Sequence, residues 1–287
     1  MTEYLKNERT HFLNIFEKSI NDYLKKNLFQ KNNHVVAVNE SMQYSLKSSG
    51  KRFRPFLAYL VFKLGAENES LLKSWALAIE FIHTYSLIHD DLPCMDNDDY
   101  RRGVPTNHKV YGEAVALLAG DSLISEAFRV ISEDQDLSAE IRIQLISLLA
   151  EKIGPAGMVG GQILDMKVTS EINLEDLKKI HLLKTGYLIQ AAAIGAAYIL
   201  NFNEELVTKI SDFSLNLGIA FQIKDDLLDF SSEAQGFKSY AHLLGFEKTT
   251  EELNRYSKLA LENLNHFEPA RKQFLVDLIH YNLERTQ

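Results

Sequence analysis

A chain of 287 residues with 46% hydrophobic content carries enough apolar material for one large domain or two ordinary ones. Its formal net charge of −8 argues against a general nucleic-acid binder, and its single cysteine, Cys94, excludes an internal disulfide framework and fits a reducing, cytoplasmic compartment. Residues Met1 to Glu8 hold no apolar signal-peptide core, and no uncharged run reaches the length of a membrane span.

Five prolines and fourteen glycines are few for this length, while Leu, Ala, Ile, Lys and Glu abound, so the composition favours helix. Apolar residues recur at three- and four-residue spacing almost throughout. Phe12, Ile15, Phe16, Ile20, Tyr23 and Leu24 mark a first amphipathic helix. Leu71 to Leu92 predicts a long helix that ends or kinks at Pro93. Glu113 to Ile131 and Glu140 to Ile153 predict two more, the second stopped by Gly154-Pro155. Asn173-Leu174-Glu175-Asp176 reads as a helix start leading into Leu177 to Leu200. Within that helix Gln190 to Leu200 is apolar nearly all round, which predicts burial on most sides. Asn203-Glu204-Glu205 starts a last long helix running to about Asp229. Strand signals are weak, and there is no low-complexity linker, internal repeat or domain boundary. The expectation is all-α: one large helical bundle, a single domain over 1–287, whose central helices are unusually long.

Two acid clusters follow long apolar stretches. The first is His89-Asp90-Asp91-Leu92-Pro93-Cys94-Met95-Asp96, continued by Asp98 and Asp99. The second is Phe221-Gln222-Ile223-Lys224-Asp225-Asp226-Leu227-Leu228-Asp229. Acids this dense on apolar helices are destabilised by mutual repulsion and desolvation, and a bound divalent cation offsets both. Oxygen donors without His or Cys partners select Mg²⁺ over zinc, and Mg²⁺ commonly bridges carboxylates to substrate phosphates. The pair of clusters therefore predicts two walls of one cavity that holds a diphosphate. A solvated helix face is the plain alternative for Asp225 and Asp229.

Cations supply the other half. Gly50-Lys51-Arg52-Phe53-Arg54-Pro55 sets three of them beside a glycine, and Arg101-Arg102-Gly103 follows the first acids directly. Arg presents a planar fork to phosphate and Lys a point charge. Read alone, the first of these segments is equally a solvated basic turn. His83, on an apolar helix, reads alone as a core histidine. Lys184-Thr185-Gly186 interrupts another apolar helix, where a buried lysine needs an anionic partner. Gln222 precedes Asp225 by three residues and shares its face.

Taken together, these segments resemble the trans-isoprenyl diphosphate synthases of the polyprenyl synthetase family, of the bacterial farnesyl diphosphate type. The resemblance spans roughly residues 35 to 245. It rests on Gly50 to Pro55, Asp90 to Asp96, Arg101-Arg102-Gly103, Gly160-Gly161-Gln162 with Asp165, Lys184-Thr185-Gly186, and Phe221-Gln222 with Asp225 to Asp229. It implies an all-helical bundle around a deep central cavity, a homodimer that condenses isopentenyl diphosphate with dimethylallyl and geranyl diphosphate to farnesyl diphosphate, using Mg²⁺ at three ions per site. It further implies that Asp90, Asp91, Asp96 and Asp225 hold the metal. Gly50, Lys51, Arg54, His83 and Arg102 would bind isopentenyl diphosphate. Arg101, Lys184 and Gln222 would contact the allylic diphosphate, and Thr185 and Gln222 would flank the developing carbocation. Tyr85 and Ser86, one turn below Asp90, would form a floor that stops elongation near fifteen carbons.

One departure stands out. Family members carry a longer Gly- and Lys-containing loop after the second acid motif. Here only Phe230 to Gln235 precede Gly236-Phe237-Lys238-Ser239-Tyr240. Phe237 falls where a lysine belongs, and Lys238 replaces a phosphate contact only in part. Either the site closes differently, or activity is impaired, or a segment is absent from this sequence. Two rival functions stay open: a degenerate regulatory subunit of a heteromeric synthase, favoured by the short loop, and a class I terpene synthase, disfavoured by the two basic motifs.

Overall fold

Apolar periodicity becomes helix almost everywhere in the computed structural model, which describes residues 1–28, 35–48, 50–168, 172–230 and 239–286. The order is α1 (Glu3–Tyr23), α2 (Val36–Lys47), α3 (Phe53–Phe62), α4 (Lys73–Asp90), α5 (Asn107–Tyr111), α6 (Glu113–Ser132), α7 (Ala139–Ile153) and α8 (Met158–Lys167). It continues with α9 (Leu174–His181), α10 (Tyr187–Ile199), α11 (Glu204–Leu228), α12 (Tyr240–Leu244), α13 (Phe246–Asn263) and α14 (Pro269–Glu284). The fold class is all-α, as expected. A two-residue hairpin, β1 (Tyr100–Arg101) with β2 (Val104–Pro105), is paired antiparallel among the described residues.

Helix ends fall where side chains satisfy the orphan amides. The Asn173 and Asn203 side-chain oxygens accept from Asp176 N and Leu206 N, each at 2.9 Å, so both predicted starts are real N-caps. Helix α4 ends at Asp90, three residues before Pro93. Helix α1 begins at Glu3, nine residues before the first strong apolar position, because Thr2 Oγ1 caps Leu5 N at 3.2 Å.

The predicted helix from Leu177 to Leu200 is one passage in three pieces. Between α9 and α10 the chain widens into a π turn, Leu182–Gly186, at the Lys184-Thr185-Gly186 interruption. Helix α10 is buried without a break from Leu188 to Ala197. Its small residues let neighbours approach: a side chain at Gly195 would overlap the Trp75 indole, whose Nε1 donates to the Ala192 carbonyl at 3.0 Å. Leu174–Ile199 is long and apolar enough to cross a membrane by length and composition, although Glu175, Asp176, Lys178, Lys179 and Lys184 keep it from being an uncharged run. Yet 61% of its most apolar window is buried, against α3, α4, α7 and α11, so core packing accounts for its hydropathy.

Candidate active site

The last turns of α4 carry His83, Tyr85, Ser86, His89 and Asp90 along one wall of a cavity of about 440 Å³. Spacings of three and four residues bring these side chains to neighbouring positions. The opposite wall comes from α8 (Met158, Val159, Gln162, Ile163, Met166) and from Lys184, Thr185 and Leu188. Polar groups therefore gather near Asp90 and Lys184, and most of the remaining surface is hydrocarbon. Burial pushes the Asp90 carboxyl up to about 6, against the opposing pull of Lys184 and with Asp96 adding to the rise. Asp96 returns beside Asp90 because its backbone N donates to the Asp90 carbonyl at 2.8 Å.

Asp91 looks the other way. It is 3% exposed and accepts from Arg101 Nε at 2.7 Å, with Arg101 Nη2 at 2.6 Å. It lines a separate hollow of about 40 Å³ with Arg101, Arg102, Glu80 and His83. Arg102 and Gly103 form the hairpin tip with φ of 53° and 81°, the positive pair that a type I′ turn requires. Alternation along β1 and the turn sends Arg101 to Asp91 and Arg102 to Gly50. An added Cβ at Gly50 would stand 2.6 Å from Arg102 Nη1, so the glycine makes room for that guanidinium.

The three cations of the Gly50–Pro55 segment have different fates. Arg52 is buried, paired to Glu80 at 2.6 Å and Glu17 at 2.9 Å, and donates to the Leu46 carbonyl; it holds α1, α2 and α4 together. Arg54 Nη1 lies 3.3 Å from His83 Nε2. Burial, then Arg54 and Arg102, hold the His83 imidazole well below its ordinary range, so it is neutral and its Nε2 accepts. Burial, against Glu80 and with Arg102 adding to it, lowers Arg54 to about 10. Buried Arg54 Nε and Glu80 Oε2 have no hydrogen-bond partner among the described residues. Cations crowded round a neutral histidine, with the Arg54 Nε donor unpaired among the described residues, can seat an anion.

The second acid cluster does not converge. Successive helical residues point about 100° apart. Asp225 pairs with Arg285 Nη2 at 2.6 Å, Asp226 accepts from Tyr240 N at 2.7 Å, and Asp229 is exposed at the C-cap of α11. Burial pushes Asp226 up to about 7 and also raises Asp225, where Arg285 and Lys51 oppose it. Arg285 is held by the Asn282 side chain at 2.9 Å, by the Phe221 carbonyl at 3.1 Å and over the Phe221 ring at 4.2 Å. Among the described residues lining the 440 Å³ cavity none comes from this cluster. Lys51, Phe221 and Arg285 instead border a second hollow of about 230 Å³. Asp225 thus lines neither hollow in this structure, where it is paired with Arg285 from the end of α14.

Among the described residues no three His, Cys, Asp or Glu side chains stand close enough to hold a metal by themselves. The donors that are present, Asp90 and Asp96 on one side and Asp225 on the other, are all oxygen. Mg²⁺ takes one or two carboxylates and completes its shell with water and phosphate, so this set fits a phosphate-bridged ion and not a closed protein cage.

The π turn ties the walls together. A Cβ at Gly161 would stand 2.8 Å from the Leu183 carbonyl carbon and overlap Lys184 N, and Gly218 of α11 faces the Gly186 Cα at 3.6 Å from its own added Cβ. Glycines on α8 and α11 thus clasp the turn from both sides. Lys184 finds its anionic partner in Asp165 at 2.7 Å, and Gln222 lies one helical turn beyond Gly218. Both amide atoms of Gln162 are buried beside this turn without partners among the described residues. Arg285 and the apolar α8 residues Met158, Val159, Ile163 and Met166 lie outside the motifs, unlike Gln162 beside them: their roles depend on contacts over long sequence separations. Lys238 lies outside the described residues.

Comparison with known proteins agrees with this fold. The Polyprenyl synthetase family model matches residues 35–243. The chain is 41% identical over 263 residues to a farnesyl diphosphate synthase of Micrococcus luteus, covering 87% of this chain and 90% of that one. It is 39% identical over 261 residues to a chloroplastic geranylgeranyl pyrophosphate synthase of Catharanthus roseus, covering 86% and 73%. The crystal structure of an FPP/GFPP synthase from Zymomonas mobilis superposes with a TM-score of 0.90 at 33% identity, over 98% of this chain and 100% of that one.

Proposed function

Because the chain belongs to the polyprenyl synthetase family, we propose that it is a Mg²⁺-dependent prenyltransferase condensing isopentenyl diphosphate with dimethylallyl and then geranyl diphosphate to give farnesyl diphosphate. The observation that carries this is the cavity of about 440 Å³, polar at Asp90 and Lys184 and apolar along α8, with Tyr85 and Ser86 in its wall. The C1–O bond of the allylic diphosphate breaks, leaving an allylic cation and pyrophosphate. C4 of isopentenyl diphosphate attacks C1, and the C2 proton passes to pyrophosphate. Asp90 and Asp96 would hold Mg²⁺, with Asp91 and Asp225 joining them once released from Arg101 and Arg285, and the ion would supply neutralisation of the departing charge. Arg101, Lys184 and Gln222 hold the allylic diphosphate, and Lys51, Arg54, His83 and Arg102 hold the isopentenyl one. The neutral His83 accepts from Arg54 and so keeps that fork aimed at its anion. Thr185 and Gln222 place hydroxyl and amide dipoles by the cation, and the hydrocarbon walls exclude water.

The same reading takes 1–287 as one catalytic domain, since α1, α13 and α14 pack on α3, α4 and α11. It also takes the protein as a cytoplasmic homodimer, supported by Val110, Leu117 and Leu118 standing 46%, 46% and 52% exposed on adjoining helices. A twenty-carbon product is the second reading, favoured by the identity to the Catharanthus enzyme. Purified protein with Mg²⁺ and the two five-carbon substrates, followed by chromatography of dephosphorylated products, tests the proposal. Fifteen-carbon alcohol is expected; no prenyl product refutes it and leaves a regulatory subunit in its place.

A further inference from the structure

Within that cavity Tyr85 packs against His89, which opens the first acid cluster and has no role in the reading above. Its ring meets the His89 imidazole edge to face, with centroids 5.6 Å apart at 76°. His89 follows Tyr85 by four residues, so the two stack along one face of α4. The imidazole is itself seated on α6: Nε2 stands 3.0 Å from the Leu117 carbonyl, which can only accept, so Nε2 carries the hydrogen. One turn further, Gly120 gives the ring its space, because an added Cβ there would lie 2.8 Å from Cε1 and overlap Nε2. His89 also lines the cavity, so the ring stands between α6 and the space occupied by a growing chain.

We infer that His89, seated by the Leu117 carbonyl and Gly120, is a positioning residue that props the Tyr85 ring and thereby sets product length. This rests on the elongation reading above. The floor is then a two-layer device: Tyr85 meets the prenyl chain, and His89 decides how far Tyr85 can swing. Removing the imidazole frees Tyr85 to move toward α6 and deepens the cavity. Adding a methyl group at position 120 drives the imidazole away from α6, into the cavity, and raises the floor. The two changes therefore act in opposite directions, which a general loss of packing cannot do.

The test is the product-length distribution of the purified full chain with Mg²⁺, isopentenyl diphosphate and dimethylallyl diphosphate. Tyr85→Ala is the control for the floor and lengthens the product. His89→Ala raises the ratio of longer to wild-type product by about 2- to 10-fold, the span set by one edge-to-face ring contact. Gly120→Ala raises the share of shorter product. His89→Gln keeps a donor for Leu117 but has no ring, and gives the same lengthening if the alanine variant does not fold. Lengthening by Tyr85→Ala with wild-type distributions in the His89 and Gly120 variants overturns the inference, even if their melting temperatures or turnover fall. An unchanged length in Tyr85→Ala removes the floor and the inference together. A wild-type chain without prenyl product refutes the elongation reading itself.

Discussion

Gly161→Ala tests whether the clasp on the π turn matters to the chemistry. The added methyl would stand 2.8 Å from the Leu183 carbonyl carbon and overlap Lys184 N, where ordinary contact begins at 3.4 Å. Both obstacles lie on a turn held from behind by α11, so neither can swing aside as a side chain would. Helix α8 and the turn must part by roughly 1 Å, and overpacking of this kind destabilises by about 1–3 kcal/mol. The Asp165–Lys184 pair, at 2.7 Å, spans this same joint and lengthens beyond hydrogen-bonding range. Two results follow: a melting temperature several degrees lower by calorimetry, and a higher KM for the allylic diphosphate than for isopentenyl diphosphate, since Lys184 serves the former. Asp165→Asn removes the charge without the methyl, and should reproduce the kinetic change with a smaller thermal one. Wild-type melting and kinetics in Gly161→Ala would refute the clasp.

Asp90→Ala and Asp225→Ala should each abolish most turnover at saturating Mg²⁺ while far-ultraviolet circular dichroism stays unchanged; near-normal activity in either removes that residue from the metal set. Arg54→Ala deletes a fork beside His83, and losing one charge-assisted contact of about 1.5–3 kcal/mol should raise the KM for isopentenyl diphosphate more than tenfold, with a smaller effect on the allylic substrate. Equal effects on both substrates would show that Arg54 serves no single pocket. The pH dependence of stability isolates His181. Burial, with Lys184 adding to it and Asp165 opposing, lowers its imidazole to about 4, and the Tyr240 ring packs on it at 5.7 Å. The unfolded imidazole binds its proton near 6.5 and the folded one does not, so stability is lost as pH falls from about 6.5 toward 4. His181→Gln should flatten the difference in melting temperature across that window relative to the wild type; parallel curves would mean that His181 titrates normally.

How much was legible from the sequence depends on how local the determining interaction is. Helix α11 was readable from Asn203, because an N-cap acts within three residues and the apolar period within four. The end of α4 before Pro93 was readable for the same reason, as was the burial of α10 from its unbroken apolar face. The motif residues Asp90, Lys184 and Thr185 do share one cavity. What the chain's own order could not decide is which neighbour each charged group meets. Arg52 and Arg54 stand two residues apart, yet one is locked to Glu80 and Glu17 and the other faces His83. Asp90 and Asp91 are adjacent, yet α4 turns them into different hollows. Asp225 is covered by Arg285, sixty positions away, through packing of α14 on α11. A helix's period assigns residues to faces, but the partner on each face is chosen by tertiary packing, since burial sets the energy of a charge through whatever lies within a few ångströms of it.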